Sequence, residues 1–194
     1  MKMKIKAPLI LASKSPRRKE LFEKLGFPFT IQTIEVDEVY PKNHSAIQIV
    51  KYLSRIKSEP IALKNPNAIV IGVDTIVFFE NKIYGKPHDT IEAKNFLIQL
   101  NGKIHQVISG VTLFYQNESY QFHDVSKVHF QDLDEYFLDY YIENYQPLDK
   151  AGAYGIQDFW GLVGVKKIEG DFYNVMGLPV TKLFQHFLKL GWIE

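Results

Sequence analysis

The chain of 194 residues contains no cysteine. This absence excludes disulfide bonds, thiolate catalysis and metal sites with cysteine ligands. Lysine and arginine together number 23 and the acidic residues 22, so the formal net charge is only +1. A protein with so little net charge has no global field that attracts nucleic acid or an anionic membrane. We therefore expect neither as a partner, and any anion-binding site must be local.

Long apolar runs, internal repeats and Gly/Ser-rich linkers are also missing. No segment has the ~20 apolar residues that span a bilayer. The opening MKMKIKAPLILA has the lysines of a signal peptide, but Pro8 interrupts it and no small-residue cleavage site follows. We interpret it as the first strand of a cytoplasmic protein. Because nothing marks a boundary, the sequence predicts a single domain over residues 1–194.

The hydrophobic pattern alternates between strands and helices. It predicts strands at about 7–12, 27–36, 68–79, 103–115 and 119–130, and a strand-like stretch from 159 to 170. It predicts helices at about 16–25, 46–58, 89–102, 132–144 and 179–190. Pro60 is expected to limit or bend the second helix. The strands at 103–115 and 119–130 form a hairpin, so the pattern predicts an α/β fold with a mixed sheet.

The first predicted helix carries cations where acidic residues are favoured. Ser15 is a good N-cap, Pro16 suits the first helical position, and Gly26 ends the helix. Arg17 and Arg18 follow directly, although the helix dipole disfavours cations there by a few tenths to ~1 kcal/mol each. Helix N-termini bind anions, and guanidinium groups add forked donors for phosphate oxygens. The pattern favours a phosphate site, with two side chains pointing into water as the alternative.

A single acidic residue interrupts the most apolar segment of the chain. Asp74 lies within AIVIGVDTIVFF, and a carboxylate inside a core is costly unless it is paired, hydrogen-bonded or bound to a metal. Its position alone favours a functional and a structural role equally. Glu38, Lys57 and Lys86, each taken alone, are typical of solvated surface charges.

The segment KAGAYGIQ, residues 150–157, has small residues around Tyr154. Small residues permit a close approach of the backbone to another group. Gln157 offers a donor and an acceptor, which can read a base edge such as that of uracil. The alternative is a tight turn with a polar flank. The six histidines have no metal-ligand spacing, and we assign them no chemistry.

Taken in order and spacing, a series of segments resembles the Maf family of nucleotide pyrophosphatases, over nearly the whole chain. The segments are LASKSPRRKELFEKLG, VDE at 36–38, Lys57, GVDTIV at 72–77, GKP at 85–87, HQVISGVTL at 105–113, DKAGAYGIQ at 149–157 and IEGDFYNVMGLPV at 168–180. The resemblance implies a long mixed sheet flanked by helices, with two lobes around a central cleft, as in inosine triphosphatases. It also implies hydrolysis of nucleoside triphosphates between the α and β phosphates, with a divalent cation such as Mg²⁺ or Mn²⁺.

The resemblance also assigns roles to residues of this sequence. It implies a catalytic set of Asp74, Glu38, Lys57 and Lys86. Our own hypothesis for a metal ion is that Glu38 and Asp74 would be its ligands. It implies a substrate-binding set of Ser13, Arg17, Arg18, Thr75 and Gln157. The segment 150–157 is similar to that of the subgroup that acts on dTTP and UTP. The chain departs from the family pattern at Lys14 and Asp158, where glycine is usual or common, and at Val73, where alanine is usual.

Two mechanisms and two other functions stay open on the sequence. Asp74 acts either as a general base or, with Glu38, as a ligand of an ion that activates water. The first alternative function is a pyrophosphatase for non-standard or modified purine triphosphates. The second is a cell-division regulator that binds nucleotides without hydrolysing them. The sequence also leaves open whether two copies of the chain form a homodimer.

Overall fold

The computed structural model describes residues 3–193, which form seven strands and seven helices besides two short 3₁₀ turns. The strands are β1 (Leu9–Ala12), β2 (Phe29–Ile31), β3 (Ile69–Phe79), β4 (Lys82–Tyr84), β5 (Ile104–Tyr115), β6 (Glu118–Phe130) and β7 (Val165–Glu169). The helices are α1 (Pro16–Leu25), α2 (Ala46–Lys64), α3 (Thr90–Leu100), α4 (Glu135–Tyr145), α5 (Phe159–Val163), α6 (Phe172–Met176) and α7 (Val180–Lys189).

The strands form one seven-stranded sheet with the order β2-β1-β3-β5-β6-β7, and β4 pairs with β3. Strand β1 is parallel to both β2 and β3. Strand β4 is antiparallel to β3, and β7 is antiparallel to β6. The predicted mixed α/β fold is therefore confirmed.

The described chain divides into two compact units. The first contains the described residues up to Asp74, Ser109–Asp124 and those from Gly177 onwards. The second contains Thr75–Ile108 and Val125–Met176. Strands β3, β5 and β6 run from one unit into the other. Neither unit is a continuous piece of chain, which explains why no linker in the sequence marks a boundary.

The first unit has a core of mainly aliphatic side chains around β1 and β3. Its buried members include Ile10, Ile61, Val70 and Phe114. The strand predicted over residues 27–36 was wrong in length, because β2 covers only Phe29–Ile31. Its partner β1 has four residues before the chain turns into α1, so β2 has no further backbone to pair with.

Helix α2 is longer than predicted. The side chain of Ser45 accepts a hydrogen bond from the backbone N–H of Gln48, whose side chain in turn accepts one from the Ser45 backbone, so the N-terminus is closed by a capping box. The helix does not stop near residue 58 but continues through Pro60 to Lys64. Buried Ile61 lies one residue beyond the proline. Its packing in the core favours helix continuation despite the lost backbone hydrogen bond.

The second unit packs α3 and α4 on its part of the sheet. Its core includes Leu97, Val128, Tyr141 and Trp160. The sequence pattern missed β4 and α6, and the strand-like stretch from 159 to 170 was wrong in its first half, where α5 forms. Such short elements carry too few residues to show a period, so tertiary packing decides their conformation.

Candidate active site

The first unit brings α2 very close to β3 at Gly72. A Cβ atom on this residue would overlap the backbone oxygen of Ser54 and the hydroxyl of Ser58, both on α2. Glycine is therefore required for this helix-to-strand distance. The close packing places Lys57, the residue before Ser58 on α2, beside Asp74. Asp74 lies two residues after Gly72 on β3. Sequence reasoning missed Gly72, although a glycine inside a β-branched strand is a signal of close approach.

Asp74 and Glu38 share the ammonium group of Lys57. The Lys57 Nζ donates to Oδ1 of Asp74 at 2.6 Å and lies 2.8 Å from Oε2 of Glu38. Asp74 is 6 % exposed, whereas 57 % of the Glu38 side chain is exposed. Asp74 is therefore a buried carboxylate paired with a lysine, a contact that a purely structural role would also produce. Lys57 and Glu38 are therefore not the isolated surface charges that each position suggested alone.

Burial raises the pKa of the Asp74 carboxyl above its ordinary value. The neighbouring Lys57 ammonium and then the Arg18 guanidinium oppose this rise, because they stabilise the ionised form. The negative charge of Glu38 also raises the pKa of Asp74. A carboxylate whose pKa is raised is a better proton acceptor than an ordinary aspartate, as a general base requires.

Arg18 uses its guanidinium group to hold the site together. Its Nε donates to the carbonyl oxygen of Gly177 at 2.8 Å. One terminal nitrogen donates to the carbonyl of Val73 at 3.0 Å and to the hydroxyl of Ser13 at 3.1 Å. These bonds connect α1, β3 and the loop before α7. The roles of the Gly177 and Val73 carbonyls were not predicted, because backbone acceptors leave no mark in a sequence.

The first turn of α1 carries arginines where acidic residues are usual, as the sequence indicates. No acidic residue lies in the first turn, and Ser15 makes no side-chain capping bond. Burial lowers the pKa of Arg18 to about 10, helped by the Arg17 charge, while Asp74 opposes this effect. The alternative that both arginines point into water is wrong for Arg18. Two cations at a helix N-terminus, where backbone N–H groups also favour negative charge, are an arrangement suited to an anion.

The oxygen ligands of this cluster fit a hard divalent cation that takes its remaining ligands from a bound substrate. Among residues 3–193, no three His, Cys, Asp or Glu side chains lie close enough together to hold a metal ion. Asp74 and Glu38 supply carboxylate oxygens, which Mg²⁺ prefers. Mg²⁺ is usually held by one or two carboxylates together with substrate phosphates, and this cluster offers a pair of carboxylates beside two arginines.

The remaining predicted site residues belong to the second unit. Thr75 follows Asp74 in β3 and is half-buried. Lys86 is exposed in the loop after β4, and Gln157 is exposed directly before α5. The loops that carry Lys86 and Gln157 are joined by a hydrogen bond from the Gly152 N–H to the Gly85 carbonyl, at 3.0 Å.

The segment that carries Gln157 is held in place by Tyr141 of α4. The Tyr141 hydroxyl accepts a hydrogen bond from the Gly155 N–H at 3.0 Å and donates one to Asp158 at 3.1 Å. Lys150 pairs with the same Asp158 carboxylate at 3.4 Å. The carboxylate is turned away from the N-terminus of α5, where it makes no capping bond. The Tyr141 hydroxyl thus holds the segment on both sides of exposed Gln157.

A surface pocket of about 240 Å³ lies elsewhere in the first unit. It is lined by residues of α2 and of the β5–β6 turn, among them Arg55, Glu59, Phe114 and Gln116. None of the predicted site residues lines it, so the candidate active site rests on the charged cluster. In the part of the chain that the structure describes, no helix is long and apolar enough to cross a membrane.

The chain is similar to several bacterial proteins over most of its length. A protein of Cytophaga hutchinsonii described as dTTP/UTP pyrophosphatase is 47% identical over 182 residues, covering 94% of this chain and 84% of that protein. A Bacteroides thetaiotaomicron protein with the same description is 44% identical and covers 95% and 97%. One from Bacillus pumilus, also so described, is 46% identical and covers 90% and 92%.

The fold has a more distant relative among solved structures. The Staphylococcus aureus Ham1 protein matches with a TM-score of 0.51 at 16% identity, covering 94% of this chain and 98% of that one. This likeness concerns the fold alone. The family model described as Maf-like protein matches residues 8–190, which include all the predicted site residues. The chain therefore belongs to the Maf family.

Proposed function

We propose that this protein hydrolyses dTTP and UTP to the nucleoside monophosphate and pyrophosphate. The observation that carries the proposal is the contact of Lys57 with both Asp74 and Glu38, beside the arginines at the start of α1. The relatives described as dTTP/UTP pyrophosphatases support the choice of nucleotide. Nucleoside triphosphates are abundant in the cytoplasm, where we infer that the protein works.

The proposed reaction is attack by water on the α phosphorus. The water oxygen forms a bond to this phosphorus, the bond from it to the bridging oxygen breaks, and pyrophosphate leaves. The proton of the water passes to the Asp74 carboxylate, whose pKa is raised by burial. In the free protein a hydrogen bond from Lys57 holds this carboxylate in one orientation.

Positive charge on the protein stabilises the departing pyrophosphate. Arg17 at the start of α1 and Lys57 of α2 supply this charge, and we assign Lys86 the same role by resemblance. Fixed cations in a partly dry site are more effective than the same charges in water. Arg18 contributes its charge and also orients Ser13, to whose hydroxyl it donates. A Mg²⁺ or Mn²⁺ ion held by Asp74 and Glu38 would add charge neutralisation when bound.

We assign base recognition to Gln157, with Thr75 as a second contact. Gln157 is exposed on a segment that Tyr141 and Asp158 hold by hydrogen bonds. An amide side chain on a fixed backbone can donate to one carbonyl of uracil or thymine and accept from its N–H. The preference for pyrimidines over purines is supported by the relatives described as dTTP/UTP pyrophosphatases.

A panel of about a dozen nucleoside triphosphates, assayed for pyrophosphate with Mg²⁺ and with Mn²⁺, tests the proposal. We expect the highest kcat/KM with dTTP and UTP, and UMP and pyrophosphate in equal amounts from UTP. Highest kcat/KM with inosine or modified guanine triphosphates would instead establish the purine alternative. Binding without any pyrophosphate release would establish a nucleotide-binding regulator.

A further inference from the structure

The Lys57 ammonium lies where an ion bridging Asp74 and Glu38 would lie. Its Nζ is 2.6 Å from one carboxylate and 2.8 Å from the other. A divalent ion that binds both groups needs carboxylate oxygens at about 2.0–2.6 Å. The ammonium and the ion would therefore compete for the same oxygens. An ion can enter only if Lys57 moves to other acceptors.

The surrounding charges also oppose a divalent ion in the free protein. Arg18 interacts electrostatically with Asp74, Glu38 and Arg17. With Lys57, this group of side chains contains three cations and two carboxylates, which leaves one net positive charge. Mg²⁺ and Mn²⁺ carry two positive charges, and Mg²⁺ gives up its water reluctantly. A triphosphate brings several negative charges, so its arrival reverses the sign of the cluster.

We propose that Lys57 is the resident cation of the free protein and excludes divalent ions from Asp74 and Glu38 until a nucleoside triphosphate binds. The triphosphate offers oxygens to the displaced ammonium and further ligands to the incoming ion. Divalent ion and nucleotide therefore bind together, each increasing the affinity for the other by the same factor. The inference deepens the proposed function and rests on it for the nucleotide. The exclusion of the ion from the free protein does not depend on hydrolysis.

Mn²⁺ binding to the nucleotide-free protein tests whether Lys57 excludes the ion. It is measured by isothermal titration or by the paramagnetic resonance signal of unbound Mn²⁺. The variant is Lys57→Gln, which removes the charge but keeps a hydrogen-bond donor for Asp74. The matched control is Lys64→Gln, which removes an exposed charge from the end of the same helix. We expect Lys57→Gln to bind Mn²⁺ at least about tenfold more tightly than the parent, since one unit charge at contact distance is removed. Lys64→Gln should match the parent.

Two results would overturn the inference. Mn²⁺ binding to the parent as tight as to Lys57→Gln would show that the ammonium does not compete. No gain in Lys57→Gln would show that something other than Lys57 keeps the ion out. Adding Glu38→Gln to the variant should abolish the new binding, since it removes one of the two carboxylates.

A second measurement needs no variant, in case Lys57→Gln does not fold. Ligands that bind only the folded protein raise Tm. For the parent, Mn²⁺ alone should leave Tm unchanged, whereas Mn²⁺ with α,β-imido-UTP should raise it more than the analogue alone does. A rise in Tm with Mn²⁺ alone contradicts the inference. Failure of the analogue to bind, with Mn²⁺ still entering Lys57→Gln, would instead contradict the proposed function.

Discussion

The Lys57 ammonium donates a hydrogen bond to the Asp74 carboxylate at 2.6 Å, across 17 positions of sequence. The pair forms because Gly72 lets α2 pack directly on β3. Both groups are largely removed from water, with 19 % of the lysine side chain and 9 % of the aspartate side chain exposed. Removing either partner would leave a charge in a poorly solvated place, so the two act as one unit.

Arg18→Lys should damage both stability and turnover. A lysine cannot reproduce the fork that reaches Gly177, Val73 and Ser13 together, because an ammonium is a point charge. We expect a loss of about 1–3 kcal/mol in the free energy of unfolding, from buried acceptors left unpaired. Urea denaturation measures it. Arg55→Lys, whose partner Glu59 is partly exposed, is the control and should change stability by less than about 0.5 kcal/mol.

Tyr141→Phe should loosen the loop that carries Gln157. The substitution leaves the Gly155 N–H without its acceptor and removes a donor from Asp158. We expect a loss of about 1–3 kcal/mol in unfolding free energy and a larger fall in kcat/KM for UTP than in kcat. Tyr145→Phe, at a more exposed position of the same helix, should leave both quantities unchanged. Equal behaviour of the two variants would contradict the role of the hydroxyl.

His105 should make folding stability depend on pH. Burial, with a smaller contribution from the His129 charge, lowers the pKa of His105 to about 3. Its ordinary value is about 6.5, so between these two limits the unfolded chain binds a proton that the folded chain does not. The contribution of neutral His105 to the free energy of unfolding is therefore fully present above pH 6.5. It is lost as the pH drops towards 3, by up to about 1.4 kcal/mol per pH unit.

Urea denaturation at pH 7, 6 and 5 measures this slope. His105→Gln removes the titrating group, so its stability should fall less steeply with decreasing pH than that of the parent, even if it is lower throughout. The hydrogen bond between His105 Nε2 and the Tyr154 hydroxyl, at 2.8 Å, is a reason to expect that lower baseline. Identical slopes for the two proteins would show that His105 is not kept neutral by the fold.

Gln157→Glu should weaken pyrimidine selection. The substitution keeps the size of the side chain but replaces the amide donor with a second acceptor. We expect kcat/KM for UTP to fall about tenfold, which corresponds to loss of a hydrogen bond near 1.4 kcal/mol. The ratio of kcat/KM for UTP to that for a purine triphosphate should fall with it. A uniform loss over all triphosphates would assign Gln157 a role other than base recognition.

The sequence predicts the long elements well. The buried strand at 68–79, the hairpin of β5 and β6, and helices α1, α3, α4 and α7 are all confirmed in type and place. Each has a clear hydrophobic period or a strong end signal, such as Gly26 in the left-handed conformation after α1. Apart from the end of α2, the errors concern β2, β4, α5 and α6, which have only three to five residues each. For these, neighbouring strands and helices decide the conformation.

The site was predictable in part. Asp74 stands out because a carboxylate interrupts an apolar strand, and Arg17 and Arg18 stand out against the helix dipole. Glu38 and Lys57 gave no such local signal, because their importance comes from meeting Asp74 in space. The backbone acceptors of Arg18 could not be predicted, since every residue has a carbonyl. Only three-dimensional packing selects which ones it reaches.

Turnover of UTP by Asp74→Asn tests the central claim most directly. Asparagine keeps the shape of the side chain and an acceptor for Lys57, but it cannot take a proton from water. We predict at least about a 10³-fold loss in kcat, within the range that a general base supplies, with affinity for α,β-imido-UTP equal to or tighter than that of the parent. Pyrophosphate release within tenfold of the parent rate would contradict the account.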